Sequence, residues 1–154
     1  MLGAIIGDLA GSIYEFDQIK KHSNVKIINI IEDNSFYSDD TILTIAIADA
    51  ILNNVDYETK LKEYALVYDN KIPKDIPYFQ SMFSPGFTKW VKGNFQGDSS
   101  GNGAMMRISP VGYLFNTEED VIKNASLATF PSHNSKDAIE RAKIIALIIY
   151  YTRL

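Results

Sequence analysis

The stretch that most limits what this chain can fold into is Ser38-Asp39-Asp40-Thr41 and the run behind it, Ile42 to Leu52. That run is apolar on nearly every face of a helix and is interrupted only by Thr44 and Asp49. Such a helix has no solvent face and must be surrounded by other elements. Burying it draws Asp39 and Asp40 toward the interior, where a carboxylate without a partner is costly. The tetrapeptide then has two readings. Ser38 is a good N-cap, and aspartates in a first turn complement the helix dipole, which is a structural role. Alternatively, two carboxylates and two hydroxyls form a compact oxygen cluster of the kind that hard cations such as Mg²⁺ take as ligands, together with water and substrate.

Helical periodicity dominates the rest. Leu2, Ile5, Ile6, Leu9, Ile13 and Phe16 form one apolar stripe. On the same segment Gly3, Gly7 and Gly11 recur every four residues. Each glycine costs about 1 kcal/mol relative to alanine in a helix interior, so their repetition predicts close approach of another backbone or of a ligand. Tyr57–Tyr68 reads as an amphipathic helix with Leu61, Tyr64, Ala65 and Tyr68 inward. Val25–Ile31 is β-branched and short, and reads as a strand or an extended loop. Residues 72–85 hold three prolines and read as irregular, with a short helix near 86–91. Pro110 starts or kinks a helix. Thr117 followed by Asp120 predicts an N-cap for a helix to Ala128, and Ser135 opens the last helix. The expectation is an all-α fold, with residues 1–154 forming a single domain.

Composition narrows the partners. The net charge is −4 and there is no basic run, which argues against a general nucleic-acid or anionic-membrane surface. A nucleotide can still bind through backbone groups and a metal. The absence of cysteine excludes disulfides and thiolate metal sites, and makes the reducing cytoplasm the expected compartment. The apolar N-terminal segment carries Asp8 and is too short to span a bilayer. The last helix is also short, and contains Arg141 and Lys143.

Three further groups of residues are candidates for chemistry. Asp8, Ser12 and Glu15, at i, i+4 and i+7, share a polar face. Asp8 can cap a neighbouring helix and Glu15 can simply be solvated, or Glu15 can be a second carboxylate beside a metal or a scissile bond. The loop Ser99-Ser100-Gly101-Asn102-Gly103 leads into Ala104-Met105-Met106-Arg107. Gly and Asn tolerate left-handed backbone, so N–H groups there can converge on an anion ahead of a helix N-terminus. Arg107 suits either a phosphate or a structural ion pair. His133, in Phe130-Pro131-Ser132-His133-Asn134, either meets a ligand or is an ordinary loop residue. His22, the other histidine, reads as exposed.

Four pieces taken together resemble the ADP-ribosylglycohydrolase family. They are Gly3 to Ser12 ending in Glu15, then Ser38-Asp39-Asp40-Thr41, then Gly101-Asn102-Gly103-Ala104-Met105-Met106-Arg107 with Ser109-Pro110-Val111-Gly112, and finally Ser132-His133-Asn134. They occur in the family's order and near its spacing, across almost the whole chain.

The resemblance implies an all-α fold around a two-metal site, Mg²⁺ or Mn²⁺, and a hydrolase that cleaves the glycosidic bond of ADP-ribosylated proteins or small molecules. By it, Ser38, Asp39 and Asp40 are metal ligands, and Glu15, Asp39 and Asp40 are catalytic. Asp8, Ser99, Ser100, Gly101, Asn102, Gly103, Met106 and His133 contact substrate. The family's later Asp-rich metal motif has no counterpart after His133, and Ser135 stands where many relatives have a second histidine. The resemblance therefore implies a truncated domain, a half-formed metal site and weak Mg²⁺ binding. The alternative is a catalytically inactive relative that binds ADP-ribose or a protein partner. Residues Ile144 to Tyr151 cannot all face one core, because successive helical residues are about 100° apart. An exposed apolar patch is expected there, with self-association or a complementing C-terminal chain.

Overall fold

The computed structural model describes residues 1–15, 29–73, 76–77, 79–94 and 96–154. The regular structure among them is helical, apart from an isolated antiparallel bridge between Asp98 and His133. The Val25–Ile31 reading lies mostly outside the described residues, as does His22, and residues 29–31 form no strand.

The helix expected to be buried is α2 as numbered here. Helix α1 is Leu2–Gly11, α2 is Asp39–Asn53 and α3 is Tyr57–Tyr68. Helix α4 is Pro85–Val91, α5 is Gly103–Met106 and α6 is Ser109–Leu114. Helix α7 is Glu118–Thr129 and α8 is Lys136–Thr152. Helix α2 packs against α1, α3, α5 and α6, and α8 packs against α5, α6 and α7. One core joins them, from Phe36, Ile42, Leu43 and Ile47 through Leu61, Met82, Trp90 and Ile108 to Val111, Val121 and Ala146.

The caps follow the sequence. Ser38, Asp56, Ser84, Thr117 and Ser135 each accept a backbone N–H of the first turn, satisfying donors that the helix leaves open. Pro110 sits in the first turn of α6, where its missing N–H costs nothing. Helix α2 ends on Asn54, left-handed at φ 52°, a C-terminal role that asparagine performs with little strain. Two of its aliphatic residues do reach solvent, Ile45 and Leu52.

The first segment differs from its expected form. Helix α1 stops at Gly11, and Ser12–Tyr14 tightens to a 3-10 turn, so Glu15 is not on the same helix as Asp8. None of the residues of α1 is fully buried, and Leu2 and Ile6 are exposed. A Cβ added at Gly3, Gly7 or Gly11 would meet nothing within 4 Å among the described residues. Helical spacing alone does not report the covering of a face, and no other element among the described residues approaches these glycines.

Close approach occurs at two other glycines. A Cβ on Gly112 would lie 2.3 Å from the Ala146 carbonyl oxygen, and one on Gly97 would lie 1.9 Å from the Pro131 carbonyl oxygen. Gly112 lets α6 sit directly on α8, whose buried line is Ala138, Ala142, Ala146 and Tyr150. Small residues form most of that seam, so the large side chains of α8 lie to its sides. Ile144, Ile148 and Tyr151, at i, i+4 and i+7, are 54%, 53% and 54% exposed, the apolar face expected on this helix.

Candidate active site

Asp8 holds the start of α2 in place. Its Oδ2 accepts the Ser38 N–H at 2.8 Å and the Thr41 N–H at 3.2 Å, and its Oδ1 accepts the Ser38 hydroxyl at 2.7 Å. The Ser38 oxygen in turn accepts the Asp40 N–H at 3.2 Å. A serine oxygen has two lone pairs, so one remains without a donor among the described residues. Ser12 supports the arrangement from below. Its hydroxyl is fully buried, donates to the Leu9 carbonyl at 2.9 Å and accepts the Phe36 N–H at 3.0 Å. Asp8 is thus a helix cap joining α1 to α2, and it is not among the residues lining the cavities described below.

With Asp8 occupied by the cap, three other carboxylates crowd the same corner. Burial, followed by the charge of Asp40 and smaller effects from Asp8 and Glu15, pushes Asp39 up to about 7. Burial and Asp8 raise Asp40, while its hydrogen bonds to Ser38 and the backbone oppose the rise. Burial, then Asp40 and Asp8, raise Glu15. Raised carboxyls that repel one another are a common device of catalytic sites.

The donor set, oxygen only and negatively charged, fits a hard divalent cation, which would remove the repulsion. No group of three or more acidic or histidine side chains that could hold a metal ion is formed among the described residues.

Asp39 stands where two hollows meet. A cleft of about 400 Å³ is lined by Glu15, Ser38, Asp39, Ser84 and residues 79–83 and 85. A cavity of about 500 Å³ is lined by Asp39, Ser84, Phe87, Trp90 and the loop Ser99, Ser100, Gly101, Asn102 and Gly103, with Met106, Arg107, Ser132 and His133. That volume suits a ligand of nucleotide size, and its lining mixes aromatic rings with polar groups.

The loop is built differently from its expected form. Among the described residues positive φ occurs only at Asn54 and Gly93, and Asn102 has φ −78°. No left-handed nest is present. Gly103 is needed for space, because a Cβ there would lie 3.0 Å from His133 Nε2. The Gly101 N–H is turned to Ser99 Oγ at 3.2 Å. Helix α5 has only four residues, so its dipole is small.

Arg107 is 1% exposed and forms no ion pair among the described residues. Its Nη2 donates to Ser132 Oγ at 2.6 Å and to the Ala128 carbonyl at 3.4 Å, while Nη1 has no hydrogen-bond partner among the described residues. The guanidinium lies 6.0 Å from the Phe87 ring centroid. Burial lowers it to about 10, opposed by the charge of Asp39, so it stays charged at neutral pH. Ser132 Oγ is also 2.8 Å from His133 Nδ1. Burial, then the charge of Arg107, hold His133 down at about 4.

The structure thus joins Ser38, Asp39, Asp40 and Glu15 at one corner and the loop, Met106 and His133 around the adjoining cavity. Sequence reading passed over Phe87, Trp90 and Gly97. Trp90 is the chain's single tryptophan, on a capped short helix, which is the one signal that pointed toward it. Gly97 seats the 96–98 loop on Pro131 and Ser132, and its carbonyl accepts the Asn134 N–H at 2.7 Å.

Comparison with known proteins identifies the family. The family described as ADP-ribosylglycohydrolase matches residues 1–154. The chain is 23% identical over 173 residues to ADP-ribosylhydrolase ARH3 of Mus musculus, an alignment covering 97% of this chain and 47% of that protein. It is likewise 23% identical to the Homo sapiens ARH3, over 97% of this chain and 48% of that protein. To the Xenopus tropicalis ARH3 it is 25% identical, over 98% of this chain and 48% of that protein. The chain spans about half the length of the curated relatives it matches. With a match along its whole length, a helical fold and the four motifs gathered around one site, the chain belongs to the ADP-ribosylglycohydrolase family.

Proposed function

We propose that this chain provides the acidic corner and the nucleotide cavity of a hydrolase that cleaves the glycosidic bond of ADP-ribosylated proteins or small molecules. The observation that carries the reading is the position of Asp39, which lines both the cavity beside Ser99–Gly103 and the cleft beside Glu15. A ligand seated in the cavity by its nucleotide would present its far end to the carboxylates.

Hydrolysis breaks the bond between the anomeric carbon and the leaving group and joins a water oxygen to that carbon. The leaving group takes up one proton. Positive charge builds on the sugar during the step, and Asp39, Asp40 and Glu15 are placed to stabilise it. Glu15, raised by burial and by the charges of Asp40 and Asp8, is the carboxyl suited to proton transfer. Phe87, on the cavity wall, offers apolar ring surface to a base. Ser99, Ser100 and Asn102 offer hydrogen bonds to ribose and phosphate oxygens. Asp39, Asp40 and the remaining lone pair of Ser38 would hold Mg²⁺ or Mn²⁺, which when bound supplies polarisation of water and orientation of ribose hydroxyls.

A second reading is a protein that binds ADP-ribose without hydrolysing it. It draws on the lack of three converging metal-holding side chains among the described residues. One pair of measurements separates the two. Calorimetry with ADP-ribose, with and without Mg²⁺, tests the cavity. Release of ADP-ribose from a modified peptide, compared with the Glu15→Gln variant, tests the chemistry. Binding with Glu15-dependent release supports the hydrolase; binding without release supports the second reading; no binding of ADP-ribose refutes both.

A further inference from the structure

On the reading of the cavity as a nucleotide site, we propose that Arg107 and Ser132 are positioning residues that lock His133 as the tautomer protonated on Nε2, so that the cavity always meets a neutral hydrogen-bond donor there.

The inference starts from what each group can do. A guanidinium only donates, so in the 2.6 Å contact with Arg107 Nη2 the Ser132 oxygen accepts. The Ser132 hydroxyl still has one proton to place. His133 Nδ1, at 2.8 Å, is the only other partner recorded for that hydroxyl among the described residues. If Nδ1 carried a proton, Ser132 would have to accept from both sides and its own proton would have no protein acceptor among the described residues. That is the costly case, because an unmade buried hydrogen bond loses its full desolvation energy. Ser132 therefore donates to Nδ1, and the ring proton sits on Nε2.

Rigidity follows from burial. Arg107, Ser132 and His133 are 1%, 3% and 4% exposed. The guanidinium is held by the Ala128 carbonyl and lies beside the Phe87 ring. The backbone of His133 is bridged to Asp98. Nε2 comes within 3.0 Å of the place a Cβ would occupy on Gly103, so the donor lies beside the loop that lines the cavity. A fixed donor selects an acceptor atom on the ligand, such as a phosphate or carbonyl oxygen, and disfavours a donor at the same place. A second proton on the ring is opposed by the neighbouring guanidinium, in line with the lowered His133 value.

The test reads the ring nitrogens directly. His22→Gln leaves His133 as the sole histidine, and long-range proton–nitrogen correlation NMR of the ¹⁵N-labelled chain then reports its tautomer without any ligand. The expected result is an unprotonated Nδ1 and a protonated Nε2, unchanged from pH 5 to 8. Ser132→Ala should give mixed tautomers and move the titration toward the ordinary histidine range, and Ser132→Thr, which keeps the hydroxyl, should restore the single tautomer. ADP-ribose affinity should fall about tenfold in Ser132→Ala and recover in Ser132→Thr, the size of one lost hydrogen bond. A protonated Nδ1 in the parent chain, or a Ser132→Ala spectrum identical to it, overturns the inference. Failure of the parent chain to bind ADP-ribose at all would instead overturn the reading of the cavity, and the tautomer result stands apart from it.

Discussion

Asp8 and Ser38, thirty positions apart, are tied by two hydrogen bonds, 2.8 Å from the Ser38 N–H and 2.7 Å from its hydroxyl. The carboxylate of one helix thereby caps the next, with the Thr41 N–H as a third donor. Hydrogen bonds to charged groups contribute about 1.5–3 kcal/mol each when a partner is removed. Asp8→Ala is expected to lose roughly 2–4 kcal/mol of stability in urea unfolding, allowing for water reaching the freed donors. Asp8→Asn, which keeps one acceptor, should lose less. An Asp8→Ala chain as stable as the parent would show that the cap contributes nothing.

Crowding of the acidic corner makes a second prediction. Asp39 ionises at about 7 in the fold against an unfolded value near 3.9. The folded chain binds more protons between those values, so this residue's contribution is favourable at low pH and is lost as pH rises from about 4 to about 7. Asp39→Asn should stabilise the chain at pH 7–8 in the presence of a chelator, by on the order of 1 kcal/mol. The same variant should respond less to Mg²⁺, since ligand stabilisation scales with affinity. Thermal melts with EDTA and with Mg²⁺ check both. A lower melting temperature for Asp39→Asn in EDTA contradicts the crowding.

His133 has the opposite sign. Its imidazole is held down at about 4 against about 6.5 when unfolded. Between those values the unfolded chain binds more protons, so the contribution is present above pH 6.5 and is lost as pH falls toward 4. The stability difference between the parent chain and His133→Asn should shrink steadily over that window. Denaturation at several pH values measures it, and a constant difference would mean that the ring titrates alike in both states.

The glycines separate by what stands beside them. Gly97→Ala and Gly112→Ala each push a methyl into a backbone carbonyl, at 1.9 Å and 2.3 Å, and each is expected to cost about 1–3 kcal/mol or more. Gly7→Ala meets nothing within 4 Å among the described residues and lies inside a helix, so it should stabilise by up to about 1 kcal/mol. Unfolding midpoints of the three variants decide this, and destabilisation by Gly7→Ala would point to a neighbour that the described residues do not include.

The order of the helices and their caps were legible in the sequence because each rests on neighbours along the chain. Ser38, Thr117 and Ser135 cap the residues that follow them, and the apolar body of α2 needs burial whatever surrounds it. The resemblance then brought Glu15 and the 99–103 loop to the same site. Tertiary structure alone decided what lay across gaps in sequence. It made Asp8 a cap for a helix thirty positions away, and it brought backbone carbonyls up against Gly97 and Gly112. It also set Arg107 against Ser132 rather than against a carboxylate. Hydrogen-bond partners and steric gaps depend on distances of a few tenths of an ångström between separate elements, and periodicity, which records only which face of one helix is apolar, carries none of that information.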